Sequence, residues 1–209
     1  MQELQAKVDK IEVKNTKGKN NNIGGYMSLK SNYGGNITAS NNKVTGNTVI
    51  TTYNAGTVSN ITATSGNING TDYVGGITGA GGGVLQFCSS AATISGTGNY
   101  IGGLVGDAKS GASISQSYYA GTSVSGANFV GGIAGNMKTR TSTSKPAEIS
   151  CCYSTGMVKS KIRAGGIAGS GEEDNKIQNC LGLNLEICTD DSYIYILLYF
   201  CYCVNVLFC

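Results

Sequence analysis

Histidine and tryptophan are missing from this 209-residue chain, and proline occurs once, at Pro146. Without histidine there can be no Ser-His-Asp or Cys-His catalytic pair and no H-E-x-x-H metal motif. Mixed Cys/His zinc sites are excluded with them, and no pair of C-x-x-C units is present. Charge is also scarce. Asp, Glu, Lys and Arg make up 13% of the residues, and between Val44 and Ala108 the only charges are Asp72 and Asp107. The net charge is +3, with seven of the fifteen basic residues before Val44, so no basic face is offered to nucleic acid. The 32 glycines follow no Gly-X-Y period, which excludes collagen.

What the chain does have is a repeat. Tyr73-Val74-Gly75-Gly76-Ile77-Thr78-Gly79 returns as Tyr100-Ile101-Gly102-Gly103-Leu104-Val105-Gly106 and as Phe129-Val130-Gly131-Gly132-Ile133-Ala134-Gly135. A fourth copy is Ala164-Gly165-Gly166-Ile167-Ala168-Gly169. The glycine pairs stand 27, 29 and 34 residues apart, the period of a solenoid rung. Each unit continues with an apolar position (Val58, Leu85, Ile114, Ile149, Ile177). Three residues on comes Ile61, Cys88, Ser117, Cys152 or Cys180. A Gly-flanked apolar strand and the next Gly-Gly complete it. One rung exposes an apolar face that it cannot bury, whereas equal residues of successive rungs can stack into ladders. The fold class expected is therefore all-β, a parallel β-solenoid with rungs of 27–34 residues. Ile77, Leu104, Ile133 and Ile167 should form one internal ladder, and Leu85, Ile114, Ile149 and Ile177 another.

The flanks are organised differently. Met1, Leu4, Val8 and Ile11 recur at helical spacing, so residues 1–14 are expected to form a short amphipathic helix capping the stack; the tail of a coiled-coil stalk is the alternative. Residues 15–54, rich in Asn and Gly, read as degenerate rungs, with disorder expected over 14–22. Residues 55–184 hold the full repeat. Cys88, Cys152 and Cys180 fall at one rung position and read as small, soft residues stacked inside the solenoid. Cys151 and Cys152 are strand neighbours pointing to opposite faces and should not bridge one another. Asn36, Asn60 and Asn69 lie in N-x-T sequons, meaningful only for a secreted eukaryotic chain.

From the small/Cys position to the next Gly-Gly the spacing is 14, 14, 14 and 13 residues. Between the motif's last glycine and the next apolar position the intervening loop is 5, 7, 13 and 7 residues. Length varies at one corner, which must project, and solenoids place binding loops at such corners. The longest of these loops, 136–148, carries Lys138, Arg140 and Lys145; its neighbour carries Glu172, Glu173 and Asp174. These six are the candidate partner-binding residues, although opposite charges on adjacent loops can also pair with each other. Asp107, Glu148, Glu172–Asp174, Asp190 and Asp191 could in principle supply the paired carboxylates of polysaccharide cleavage, but solvated loop acids are the preferred reading. Gly-Gly-Ile-Ala-Gly lacks the spacing of a dinucleotide fold and the Gly-Lys-Ser/Thr of a phosphate loop, so no cofactor is expected.

The unit GGIxG…I-x-x-C/S-Y-x-x-G-x-V…V-G-G resembles the GLUG repeat of bacterial surface proteins, among them adhesin-like proteins and the non-catalytic regions of immunoglobulin-A-cleaving metallopeptidases. It is clearest in Ile101–Val130 and Val130–Ala164, and covers about residues 58–184. Ile177–Asn184 is similar to the Asn-Cys-x-x-Leu-Asn ending of such arrays. The resemblance implies a right-handed β-solenoid displayed at a cell surface, without catalytic residues, within a larger secreted protein. The expected function is then adhesion or interaction with a host protein or glycan, with a passive stalk and a polysaccharide-cleaving β-helix as alternatives. Met1–Lys7 is charged from the start and unlike a secretion leader, so the chain reads as a fragment of that larger protein.

Residues 185–209 depart from the repeat. Tyr193–Cys209 holds one polar amide, Asn205, among Tyr, Ile, Leu, Phe, Val and Cys. Three readings stay open: a membrane-contacting segment, an apolar cap over the last rung, or an aberrant end.

Overall fold

The computed structural model describes residues 57–63, 66–138 and 145–190, together with the strands Lys10–Lys14, Lys17–Lys19, Asn22–Ile23, Tyr26–Lys30, Thr38–Val44 and Asn47–Tyr53. Between Thr57 and Asp190 the described residues form a parallel β-solenoid of about four turns. One rung passes through four sheets in turn. Val84–Gln86 and Ser89–Ser90 lie in the first sheet, Thr93–Gly96 in the second, Asn99–Gly102 in the third and Val105–Ala108 in the fourth. The next rung repeats this order as Ser113–Ser115, Tyr118–Tyr119, Ser123–Gly126, Asn128–Gly131 and Ala134–Met137. Registers run Val84↔Ser113↔Glu148, Ile94↔Val124↔Val158, Ile101↔Val130↔Ala164 and Val105↔Ala134. The register puts like residues above one another, with single-residue adjustments taken up between the sheets.

The two expected ladders are built this way. Leu85, Ile114 and Ile149 are at most 1% exposed and stand in register, with Ile177 packed partly buried at their end. Ile77, Leu104, Ile133 and Ile167 sit at the Gly-Gly corner, joined by Ile77 N–H to Leu104 O, Leu104 N–H to Ile133 O and Ile133 N–H to Ile167 O. Each such side chain contributes about 1.5–3 kcal/mol by burial. Three further ladders line the interior: Ile68, Ile94, Val124 and Val158; Val74, Ile101, Val130 and Ala164; and the small/Cys positions.

A bend recurs in the first sheet. Asn60, Phe87, Gln116, Cys151 and Asn179, each directly before the small/Cys position, have φ between 48° and 53°. Left-handed backbone costs a non-glycine residue on the order of 1 kcal/mol or more, so five repetitions mark it as a requirement of the rung. The bend turns Cys88, Ser117, Cys152 and Cys180 inward while Phe87, Gln116, Cys151 and Asn179 stay exposed.

Tyr119 is the largest fully buried side chain, and it stands between Ser90 and Ser154 of the adjacent rungs. Gly121 and Gly156 leave the room that its ring takes. Its hydroxyl proton lies between the carbonyls of Ala92 (2.9 Å) and Ser123 (2.8 Å), linking two rungs. Tyr119→Phe should therefore destabilise the fold by about 1–2 kcal/mol in urea titrations, with unchanged circular dichroism.

At the ends the described strands bear on three expectations, and no helix is seen among the described residues. Lys10–Lys14 is a strand, paired in parallel with Tyr26–Lys30, where the apolar spacing predicts the end of a helix. Its sequence also alternates charged and apolar residues, and pairing into the fourth sheet satisfies that period-two pattern. Residues 1–9 of the expected cap lie outside the described residues. Lys17–Lys19 and Asn22–Ile23, within the stretch expected to be disordered, pair with Thr38–Val44. These early strands join the first and fourth sheets with steps of 16 to 21 residues (Lys10↔Tyr26, Ala39↔Val58, Lys17↔Thr38, Tyr26↔Asn47), shorter than the later rung. At the other end the repeat does not stop at Asn184. Ile187–Thr189 forms the fifth strand of the second sheet, on Val158–Ser160. The tail 193–209 lies outside the described residues.

Candidate functional site

At the variable corner, the fourth-sheet strand runs two residues past the last motif glycine before the chain leaves the sheet. The projecting segments are thus 82–83, 109–112, 138–147 and 172–175. Their described stems are hydrogen-bonded to one another. Gly111 N–H donates to Lys145 O at 2.7 Å, and Ala147 N–H donates to Asn175 Oδ1 at 2.9 Å. Asn175 Nδ2 in turn donates to Met137 O at 2.8 Å. One asparagine therefore ties the stems of two successive loops.

This corner brings together most of the candidate residues. Lys138 and Lys145 are exposed at the two ends of the long loop, and Glu172, Glu173 and Asp174 are exposed on the next. Arg140 lies outside the described residues. Below these loops, at the C-terminal end of the stack, is a cavity of about 420 Å³ lined by Met137, Ala168, Ser170, Glu172, Lys176 and Ile177. It joins an apolar floor to an acid and a base.

The other carboxylates do not converge there. Asp107, expected in a loop, belongs to the strand Val105–Ala108, is 5% exposed, and accepts a 2.9 Å hydrogen bond from buried Asn136 Nδ2. Glu148 opens a strand half-buried, Asp190 is exposed beyond the last strand, and Asp191 lies outside the described residues. Among the described residues, no three His, Cys, Asp or Glu side chains group to hold a metal ion. Nor is any helix among them long and apolar enough to cross a membrane.

Sequence reading missed two surface ladders. Tyr73, Tyr100 and Phe129 stack with centroids 5.2 Å apart, and the Arg163 guanidinium lies 5.2 Å over Phe129. Tyr118 and Tyr153 stack at 4.8 Å, nearly parallel. Ring pairs of this kind add about 0.5–1.5 kcal/mol each, against the left-handed backbone at Tyr73, Tyr100 and Phe129. The ring faces turned toward each other in these pairs are not open to a ligand.

Beside the first ladder runs a polar one. Asn128 Nδ2 donates to Asn99 Oδ1 (2.7 Å), and Asn99 Nδ2 donates to Asp72 (3.3 Å). Asn128 Oδ1 is buried without a partner. By the register Val130↔Ala164 the residue above it is Ile162, 46% exposed. Ile162→Asn would place a donor there. It should stabilise the fold by about 0.5–1.5 kcal/mol, read as a raised urea midpoint; Ile162→Ser, too short to reach, should not.

No family model, curated protein or solved structure matches this chain.

Proposed function

We propose that this chain is a non-catalytic display module of a larger secreted bacterial protein, holding a variable loop corner toward a host protein or glycan. The observation that carries this reading is the corner itself: rung length changes most there, elsewhere by a single residue, and the described stems of the loops hydrogen-bond to one another, with Lys138, Lys145, Glu172, Glu173 and Asp174 exposed beside them. The likeness to GLUG repeats supports placement at a cell surface. Right-handed winding is proposed with it, as the hand that parallel crossover connections adopt. The placement of Asp107 under Asn136 favours display over polysaccharide cleavage, because it removes one candidate carboxylate from the exposed set.

The test is binding of the full chain to glycan and host-protein arrays, followed by the double variant Lys138→Glu with Lys145→Glu. A ligand whose affinity drops about tenfold or more in that variant supports the corner as the site. Silence against both arrays, with the fold retained, assigns a passive stalk instead. Release of oligosaccharide from an arrayed polysaccharide would assign an enzyme and overturn the proposal.

A further inference from the structure

Of the five described cysteines, two stand opposite each other across a pair of strands. Ile149↔Ile177 and Tyr153↔Leu181 fix an offset of 28 residues between the fourth and fifth rungs of the first sheet. Cys152 therefore lies directly under Cys180. Leu181 N–H donates to Cys152 O at 2.9 Å and holds the two strands together at this point. Both thiols face the interior, 2% and 8% exposed, and each donates to the carbonyl two residues earlier, Ser150 O at 3.2 Å and Gln178 O at 3.1 Å. Parallel strands lie about 4.8 Å apart, within the Cα separation of about 4.4–6.8 Å that a disulfide spans. Among the described residues the other three cysteines have no such neighbour. Ser117 separates Cys88 from Cys152, Cys151 is exposed on the opposite face, and Cys188 pairs with Lys159 in the second sheet.

We infer that Cys152 and Cys180 form a disulfide that staples the fifth rung to the fourth when the folded protein meets a thiol–disulfide oxidant such as glutathione disulfide. The fifth rung is where such a staple acts. Among the described residues it holds strands in the first and second sheets, and the third sheet has Ala164–Gly165 as its last strand, so fewer backbone pairs hold this rung than the rungs before it. Turned from Ser150 O toward the Cys180 sulfur, the Cys152 S–H lowers the Cys180 pKa while its own is raised, so Cys180 is the sulfur that ionises first. The Cys180 thiolate attacks one sulfur of glutathione disulfide and expels one glutathione thiolate. Cys152, giving its proton to solvent, then attacks Cys180 in the mixed disulfide and expels the second. Two cysteine thiols lose two electrons and two protons, and two glutathione thiols gain them.

The test uses the full chain, kept folded and incubated with glutathione disulfide, then alkylated, digested and mapped by mass spectrometry. The expected product is a Cys152–Cys180 linked peptide, with Cys88 recovered as an alkylated thiol. Oxidation should raise the thermal midpoint by about 5–10 °C, a gain that Cys152→Ser with Cys180→Ser abolishes. Serine already occupies this ladder position at Ser117, so the double variant should keep its fold and its reduced-state midpoint. Recovery of both cysteines as free thiols, or of either one linked to another partner, overturns the inference. So does an oxidative gain that persists in the double variant.

Discussion

Gly102→Ala should cost at least about 4 kcal/mol and leave little soluble protein, although it adds a single methyl group. A Cβ at Gly102 would stand 1.9 Å from Val105 O and 2.7 Å from Gly135 N, both backbone atoms. Neither can withdraw without opening the corner, where Gly103 N–H donates to Gly131 O and Val105 N–H to Ile133 O. The same collision waits at Gly75, Gly131 and Gly165 in the other rungs, so relief in one rung would push strain into the next. Gly171→Ala is the control, because a Cβ there meets nothing within 4 Å. Urea titration of both variants should show a collapse for the first and a change within about 0.5 kcal/mol for the second.

Raising the pH from 9 to 11 should destabilise the fold strongly under reducing conditions. Burial pushes the Cys88 thiol from 9.0 up to about 12, opposed only in part by hydrogen bonds to backbone. Its folded pKa lies above its unfolded value, so its contribution is complete below pH 9 and is lost as the pH rises toward 12. The slope is about 1.4 kcal/mol per pH unit, or about 2–3 kcal/mol between pH 9 and 11. Burial raises Tyr119 as well, so its phenol adds a loss of the same sign above pH 10. Cys88→Ser should remove the first component and keep the second, which urea midpoints at pH 8, 9, 10 and 11 would separate. Parallel curves for the two proteins would show that Cys88 does not stay protonated in the folded state.

Periodicity made the rung legible because stacking forces equal residues into equal places. Ile77, Leu104 and Ile133, or Leu85, Ile114 and Ile149, announce their ladders by spacing alone. The aromatic ladder was hidden for the opposite reason. Tyr73, Tyr100 and Phe129 precede the motif's first apolar position, and the bond between them depends on a left-handed backbone that no residue type there requires. Tyr119 was hidden because its neighbours in the ladder are serines, so the repeat suggests a small residue there. At Ile11 the helical spacing of Met1, Leu4 and Val8 meets the strand alternation of Lys10–Lys14, and tertiary pairing decided for the strand there. At the corner, loop lengths located the surface, but Asn175, which ties the loops, carries no sequence signature. Asp107 looked like a loop acid because the strand's extension past the motif glycine depends on pairing, not on composition.

The solenoid itself is tested most directly by methyl–methyl nuclear Overhauser contacts in a sample labelled at Ile and Leu methyl groups. The stack predicts cross-peaks between Ile77 and Leu104, Leu104 and Ile133, and Ile133 and Ile167, and likewise along Leu85, Ile114 and Ile149. Ile77 and Ile167 stand three rungs apart, roughly 14 Å at the spacing of parallel strands, and should give none. A direct Ile77–Ile167 contact, or the absence of contacts between neighbours in each set, would contradict a stack of rungs.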